Sequence, residues 1–157
     1  MSEEAEGLVR LLEGTGAHAP TSGSLEDLDE ERAAERRADW PHSCHDILLH
    51  IVLWQDLFMA RLEGRPAPFP ATAEDGWPPA GRNRWTDTVG RFARGLEEAK
   101  ALARGGDLDA RIPEWHGIRY AEGLSILAQH NSYHLGQIVL LRRALGAWPP
   151  PGGGDTW

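Results

Sequence analysis

Four segments of the chain repeat apolar residues in steps of three and four, the spacing of one face of an α-helix. The segments fall at residues 3–14, 42–64, 85–104 and 122–145. The repeat is clearest in the third segment, whose apolar positions are Trp85, Val89, Phe92, Leu96 and Ala99. An apolar helix face has to be buried against another element, and for four helices the simplest arrangement is a four-helix bundle.

Helix ends and connections complete this prediction. Gly14 is placed to end the first helix, Ser43 can cap the second at the amide of Asp46, and Ser24 and Asp27 have the capping-box spacing for a weaker helix over residues 24–38. The proline-rich residues 65–81 could span a helix of roughly 30 Å, so they form either a crossover or a lid.

Strand patterns are nearly absent, and residues 110–120 are a weak candidate for a small hairpin. The 157 residues fit one domain, residues 1–157. We therefore predict an all-α, single-domain four-helix bundle with long crossover loops.

Composition and charge exclude several classes of protein. The net charge of −8, without a basic patch, is unsuited to nucleic acid. No run approaches the roughly 20 apolar residues of a membrane span, and the acidic N-terminal sequence lacks the features of a signal peptide, so we expect a cytoplasmic protein. A single cysteine, Cys44, excludes an internal disulfide and leaves histidine and carboxylate as the ligands for a metal.

Two histidines interrupt the apolar face of the last segment. His130 and His134 are four residues apart, so on a helix they lie one above the other, about 5 to 6 Å apart at Cβ. Such a pair can bind one divalent ion, but a catalytic zinc site typically has three protein ligands and an open position.

His50 is the candidate for the third ligand, because it lies centrally on the apolar face of another helix. His45 is five residues earlier and is rotated away from that face. The remaining histidines fall before a helix or in loops: His18, His42 and His116. The alternative is that all three core histidines are hydrogen-bonded structural residues, although each buried ring then needs partners for both nitrogens.

Four neighbours of these histidines could contribute to the site, and two of them have an alternative interpretation. Trp54 either walls the site or packs in the core, and Asp46 either orients a ligand or caps its helix. Gly136 would allow a neighbouring helix to approach, and Gln137 offers an amide at the edge of the site.

Two stretches resemble motifs of the DinB/YfiT-like superfamily, in the branch named for damage-inducible proteins. PHSCHDILLHI, residues 41–51, resembles the motif of helix two, and QHNSYHLGQIVLLRR, residues 129–143, resembles that of helix four. The resemblance covers most of the chain. It implies a four-helix bundle with a long crossover, often a homodimer, that holds zinc or nickel through His50, His130 and His134 plus water.

The family includes transferases that use low-molecular-weight thiols as well as proposed hydrolases. In a hydrolase the ion lowers the pKa of bound water to about 7, whereas in a transferase it would bind a thiol cofactor as thiolate. We therefore expect a metal-dependent enzyme with a small-molecule substrate, and assign no acid or base residue.

Two alternatives remain open. One is a non-enzymatic, metal-stabilised, stress-associated binding protein, and the other is a plain bundle without metal. Metal binding through histidine should weaken below about pH 6.5, because protonated imidazole cannot act as a ligand.

Overall fold

Five helices account for most of the molecule, of which a computed structural model describes residues 2–154. Their bounds are α1, Glu3–Glu13; α2, Glu30–Ala34; α3, Cys44–Leu62; α4, Trp85–Gly105; and α5, Tyr120–Ala144. Helices α1, α3, α4 and α5 pack as a bundle in which α3 contacts both α4 and α5, and α1 contacts the same two helices. The prediction of an all-α bundle is confirmed. None of the helices in residues 2–154 combines the length and apolar content that a membrane span needs.

Local sequence signals fix the ends of two bundle helices. Ser43 accepts from the amide of Asp46, whose carboxylate in turn accepts from the amide of Ser43 at 2.8 Å, a reciprocal capping box that begins α3. Gly14 ends α1 in the left-handed conformation, with φ at +71°. Both signals were predicted from the sequence.

The weaker helix begins later than predicted. Residues Gly23–Leu25 form a 3₁₀ turn, Asp27 has a φ of +54°, and α2 begins only after Asp29, whose carboxylate accepts from the amide of Arg32. The predicted capping box of Ser24 and Asp27 is therefore wrong. Ser24 donates instead to the carbonyl of Pro20. Helix α2 is only about one and a half turns long, and most of its side chains are charged.

Two connections contain short ordered elements. Residues 65–81 join α3 to α4 and include a 3₁₀ turn at Glu74–Gly76. Between α4 and α5, the weak hairpin candidate forms, with β1 at Arg111–Ile112 paired antiparallel to β2 at Ile118–Arg119. A 3₁₀ turn at Pro113–Trp115 and a left-handed His116 make the reversal, so Pro113 lies in the turn and removes no ladder hydrogen bond.

A buried polar layer divides the core into two apolar halves. One half lies around Phe58, Leu96 and Leu127, and the other around Ile51 and Leu135. Between them, the fully buried amide of Gln55 on α3 donates to the carbonyl of Phe92 on α4 and accepts from Asn131 on α5. Three helices are thus joined at the level of His130, because a buried amide requires its partners.

Substitution of Gly95 should destabilise the bundle at this layer. A Cβ at Gly95 would overlap the amide of Gln55, which cannot move without losing its two hydrogen bonds. We expect Gly95→Ala to lower the free energy of unfolding by about 1–3 kcal/mol. Urea denaturation would measure this change.

Gly90 offers a matched control on the same helix. A Cβ there would meet only Arg94 Nη1, at an ordinary 3.5 Å. Gly90→Ala should therefore raise the free energy of unfolding by up to about 1 kcal/mol, the usual gain in a helix interior. Equal stability of the two variants would contradict the proposed constraint at Gly95.

Candidate metal centre

Three histidines predicted from the sequence come together between α3 and α5. His50 projects from α3, and His130 and His134 project from adjacent turns of α5. One nitrogen from each ring lies within 4.8 Å of the others. His50 and His134 are only 7% and 8% exposed, while His130 is half-buried.

The hydrogen bonds of two rings fix which nitrogen carries the proton. His50 Nδ1 lies 2.6 Å from the carbonyl oxygen of Gly76, and His134 Nδ1 lies 2.7 Å from Oε1 of Gln137. The carbonyl of Gly76 can only accept, so His50 Nδ1 donates to it. The Gln137 amide is placed with its oxygen toward His134, and in that orientation His134 Nδ1 donates as well, so each neutral ring presents a lone pair at Nε2. Those two Nε2 atoms face each other at 3.0 Å. Two lone pairs at this distance repel unless a proton or a cation lies between them.

Burial disfavours a proton as that cation. Burial lowers the pKa of His50 to about 4, although the hydrogen bond to Gly76 opposes the shift. The pKa of His130 is lowered to about 4, first by burial and then by the neighbouring His134. Burial likewise lowers the pKa of His134. At neutral pH the three rings are therefore uncharged, which is the form that binds metals.

His130 differs from the other two histidines. Its Nδ1 is buried and makes no hydrogen bond of normal geometry among the described residues, where the neighbouring Asn131 side chain interacts with the ring only enough to raise its pKa against the effect of burial. The Nδ1 atoms of His50 and His134 each have a partner. A buried ring nitrogen without a partner is uncommon and costly. It marks the centre as a place where the protein's own groups do not satisfy all polar atoms.

Aromatic rings enclose the three histidines. Trp77 stacks on His50 with ring centroids 4.0 Å apart, and His42 stacks on the opposite face of Trp77 at 3.7 Å. Trp54 contacts both His50 and His130, at 6.1 and 5.7 Å. Trp54 also packs against the core at Phe58, so both interpretations describe it. Apolar walls of this kind strengthen electrostatic interactions inside.

The 65–81 connection covers this centre. Its 3₁₀ turn supplies the carbonyl of Gly76 to His50, and Trp77 follows directly. A Cβ at Gly76 would lie 3.3 Å from Nε1 of Trp54, so the absence of a side chain allows the close approach. Farther along α3, Arg61 donates to Ala67 and lies 3.6 Å from the ring of Phe69, which holds the start of the connection.

The other sequence candidates lie outside the cluster. His45 is buried and bonded to Thr88 at 3.1 Å, consistent with its rotation away from the site. Asp46 caps α3 and pairs with Arg36 at 2.8 Å, so of its two interpretations the capping one is confirmed. A Cβ built at Gly136 would meet no atom of the described residues within 4 Å, so the predicted role of Gly136 in close helix packing is wrong.

Sequence reasoning missed Gly76, Trp77 and His42 as parts of the site. All three lie outside the regular helices, where side-chain position follows no period. The adjacent glycine and tryptophan in a proline-rich loop were the available signal, because such a pair combines close backbone approach with a large ring.

A family model for the DinB superfamily matches residues 15–138. The match covers most of the chain and includes all three histidines of the cluster. The chain therefore belongs to the DinB superfamily. No curated protein and no solved structure matches it.

The metal-free protein should lose stability on mild acidification. The pKa values of His50 and His130 lie near 4 in the folded state, against 6.5 for an ordinary histidine, so the unfolded chain binds more protons between these values. This stabilisation is complete above about pH 6.5 and is lost as the pH falls through about 4. Urea denaturation between pH 7.5 and 4.5 would measure it.

The variant His130→Asn provides the comparison, since it removes one of the two groups. Its free energy of unfolding should change less over the same interval. A pH-independent stability of the original protein would contradict the assigned neutral state. The lowered pKa values also place the onset of proton competition for a bound metal below the pH of about 6.5 expected for an ordinary histidine.

Proposed function

We propose that His50, His130 and His134 hold one divalent metal ion, zinc or nickel, in a metal-dependent enzyme acting on a small molecule. The observation that carries the proposal is the pair of opposed Nε2 atoms of His50 and His134, 3.0 Å apart, with both Nδ1 atoms engaged by acceptors. A bound cation would remove the repulsion between the two lone pairs.

The donor set fits such an ion. Two nitrogens bound tetrahedrally at 2.0–2.1 Å are about 3.3 Å apart, so the pair would have to separate by only a few tenths of an ångström. The Nδ1 partners, Gly76 and Gln137, hold two rings in the tautomer that leaves Nε2 free, which is the usual arrangement around metal-binding histidines.

Three protein ligands rather than four favour an enzyme over a purely structural site, because a position remains for water or substrate. An ion held there would supply Lewis-acid chemistry, the basis of both ester hydrolysis and thiol transfer. The protein's own contribution is to keep the imidazoles neutral, to orient them and, with Trp54 and Trp77, to exclude water. A low-molecular-weight thiol is proposed as the co-substrate for the transferase form, with hydrolysis as the alternative.

Metal binding is tested directly by zinc and nickel titration of untagged protein. We expect His50→Ala and His134→Ala to weaken zinc binding by roughly 100-fold or more, since changes beyond the ligands alone cost 10–100-fold. His116→Asn is the matched control: His116 is exposed in the hairpin turn, and asparagine tolerates its φ of +54°. Competition with a chromophoric chelator gives the affinities.

Absence of bound metal, together with no thermal stabilisation by zinc or nickel, would overturn the proposal in favour of a plain bundle. A ligand that binds only the folded state must raise the melting temperature. Retention of full affinity by His50→Ala would instead exclude His50 from the ligand set.

Enzyme and binding protein are separated by turnover. Zinc- and nickel-loaded protein should hydrolyse a panel of activated esters or transfer a small thiol to an electrophile, and His50→Ala should lose that activity at matched protein concentration. His116→Asn should retain it. If the loaded protein binds metal but catalyses neither reaction, the non-enzymatic, metal-stabilised binding protein is the better description.

Homodimerisation is a further part of the proposal and rests on family membership alone. Light scattering coupled to gel filtration tests it, and a monomer mass at micromolar concentration would contradict it.

A further inference from the structure

A cavity of about 230 Å³ lies against the outer side of the metal centre. Its lining comes from the segment before α3, the first turn of α3, the covering connection and α5: Trp40, Pro41, His42, Ile47, Trp77 and Gln137. We refer to it as the Trp40 pocket. We infer that the Trp40 pocket binds a planar aromatic ligand carrying a hydrogen-bond acceptor, as a subsite for the small-molecule substrate. The inference rests on the proposed function.

Size and lining select a single aromatic ring. A cavity of about 150 Å³ can hold benzene, so the Trp40 pocket has room for one ring with a small substituent. Two indoles and the side chain of Ile47 provide an apolar lining. Aromatic pairs gain from offset or edge contacts, which a planar ligand can make with Trp40 and Trp77.

The side-chain amide of Gln137 makes the Trp40 pocket selective for ligands with a hydrogen-bond acceptor. The amide oxygen Oε1 of Gln137 faces His134 Nδ1, at 2.7 Å. The Nε2 group of Gln137 is then left with two N–H donors, and within residues 2–154 the recorded hydrogen bond of this side chain is the one through Oε1. No carboxylate lines the pocket to compete for these donors. A carboxylate or carbonyl oxygen on the ligand would fill this role.

The same amide joins the pocket to the metal centre. The hydrogen bonds run from the ligand acceptor through Gln137 to His134, and successive hydrogen bonds polarise one another. A cation bound at Nε2 of His134 should make its Nδ1–H a stronger donor, and the amide N–H groups beyond it should strengthen in turn. Benzoate and zinc should therefore each increase the affinity of the other, because coupling between two binding sites is reciprocal.

Benzoate is the probe, titrated into metal-free and zinc-loaded protein and followed by the NMR signals of the indole N–H and side-chain amide groups. We expect binding to both forms, tighter with zinc, and weaker binding of benzylamine, which has the ring without the acceptor. Gln137→Leu and Trp40→Ala should each weaken benzoate binding by about fivefold or more, the effect of one hydrogen bond or one apolar wall. Gln129→Leu, an exposed glutamine on the same helix, should leave it unchanged.

Three results would overturn the inference. The first is the absence of benzoate binding up to about 10 mM, a concentration at which even weak binding of a ligand of this size is detected. The second is binding of benzylamine as tight as that of benzoate. The third is an unchanged affinity of Trp40→Ala for benzoate. Zinc-dependent binding that survives Trp40→Ala would mean that benzoate coordinates the ion directly. Zinc content is measured separately, and the metal-free titration tests the pocket even if no zinc binds, so failure of the subsite and failure of the metal proposal are distinguishable.

Discussion

The contact on which the candidate site depends is the approach of His50 Nε2 to His134 Nε2 at 3.0 Å. With both rings neutral and both Nδ1 atoms donating to Gly76 and Gln137, neither Nε2 carries a proton, so the contact adds no hydrogen bond to the stability of the bundle. It is maintained by the packing of α3 against α5, where apolar side chains such as Ile51, Leu135 and Ile138 are almost fully buried. The core thus holds two lone pairs together, and a bound cation would remove their repulsion, which is the physical reason for proposing a metal centre.

The polar layer next to the histidines helps to keep this geometry. Gln55 connects α3, α4 and α5 through Phe92 and Asn131, one residue from His130. Apolar contacts alone would allow neighbouring helices to slide, because the hydrophobic effect is non-directional. A buried amide with two directional bonds restricts that sliding. The layer therefore positions α5 relative to α3, and with it His130 and His134 relative to His50.

The bundle and the three histidines were predictable because both depend on helical period. His130 and His134 are neighbours by local geometry, and His50 could be placed by its position on the second apolar face. The cover of the site was not predictable in the same way, since Gly76 and Trp77 reach His50 from a segment without a period. Ser24 and Asp27 show the opposite error: their spacing fits a capping box, but Asp27 adopts a positive φ and the helix begins after Asp29. Short motifs predict reliably only where the flanking residues continue the helix.

The hydrogen bonds of the proposed ligands also limit how the proposed substrate could reach the centre. Removing the 65–81 connection from the site would take Gly76 from His50 and would separate Trp77 from both His42 and His50. Opening on that side would therefore remove the hydrogen bond that orients His50. Approach from the α5 side would break no orienting hydrogen bond, because Gln137 belongs to the same helix as His134. On that side Tyr133 packs edge-on against His134 and is 68% exposed. Approach between Tyr133 and the Trp40 pocket preserves every bond that orients the two buried histidines, and we consider it the more favourable route for a small molecule.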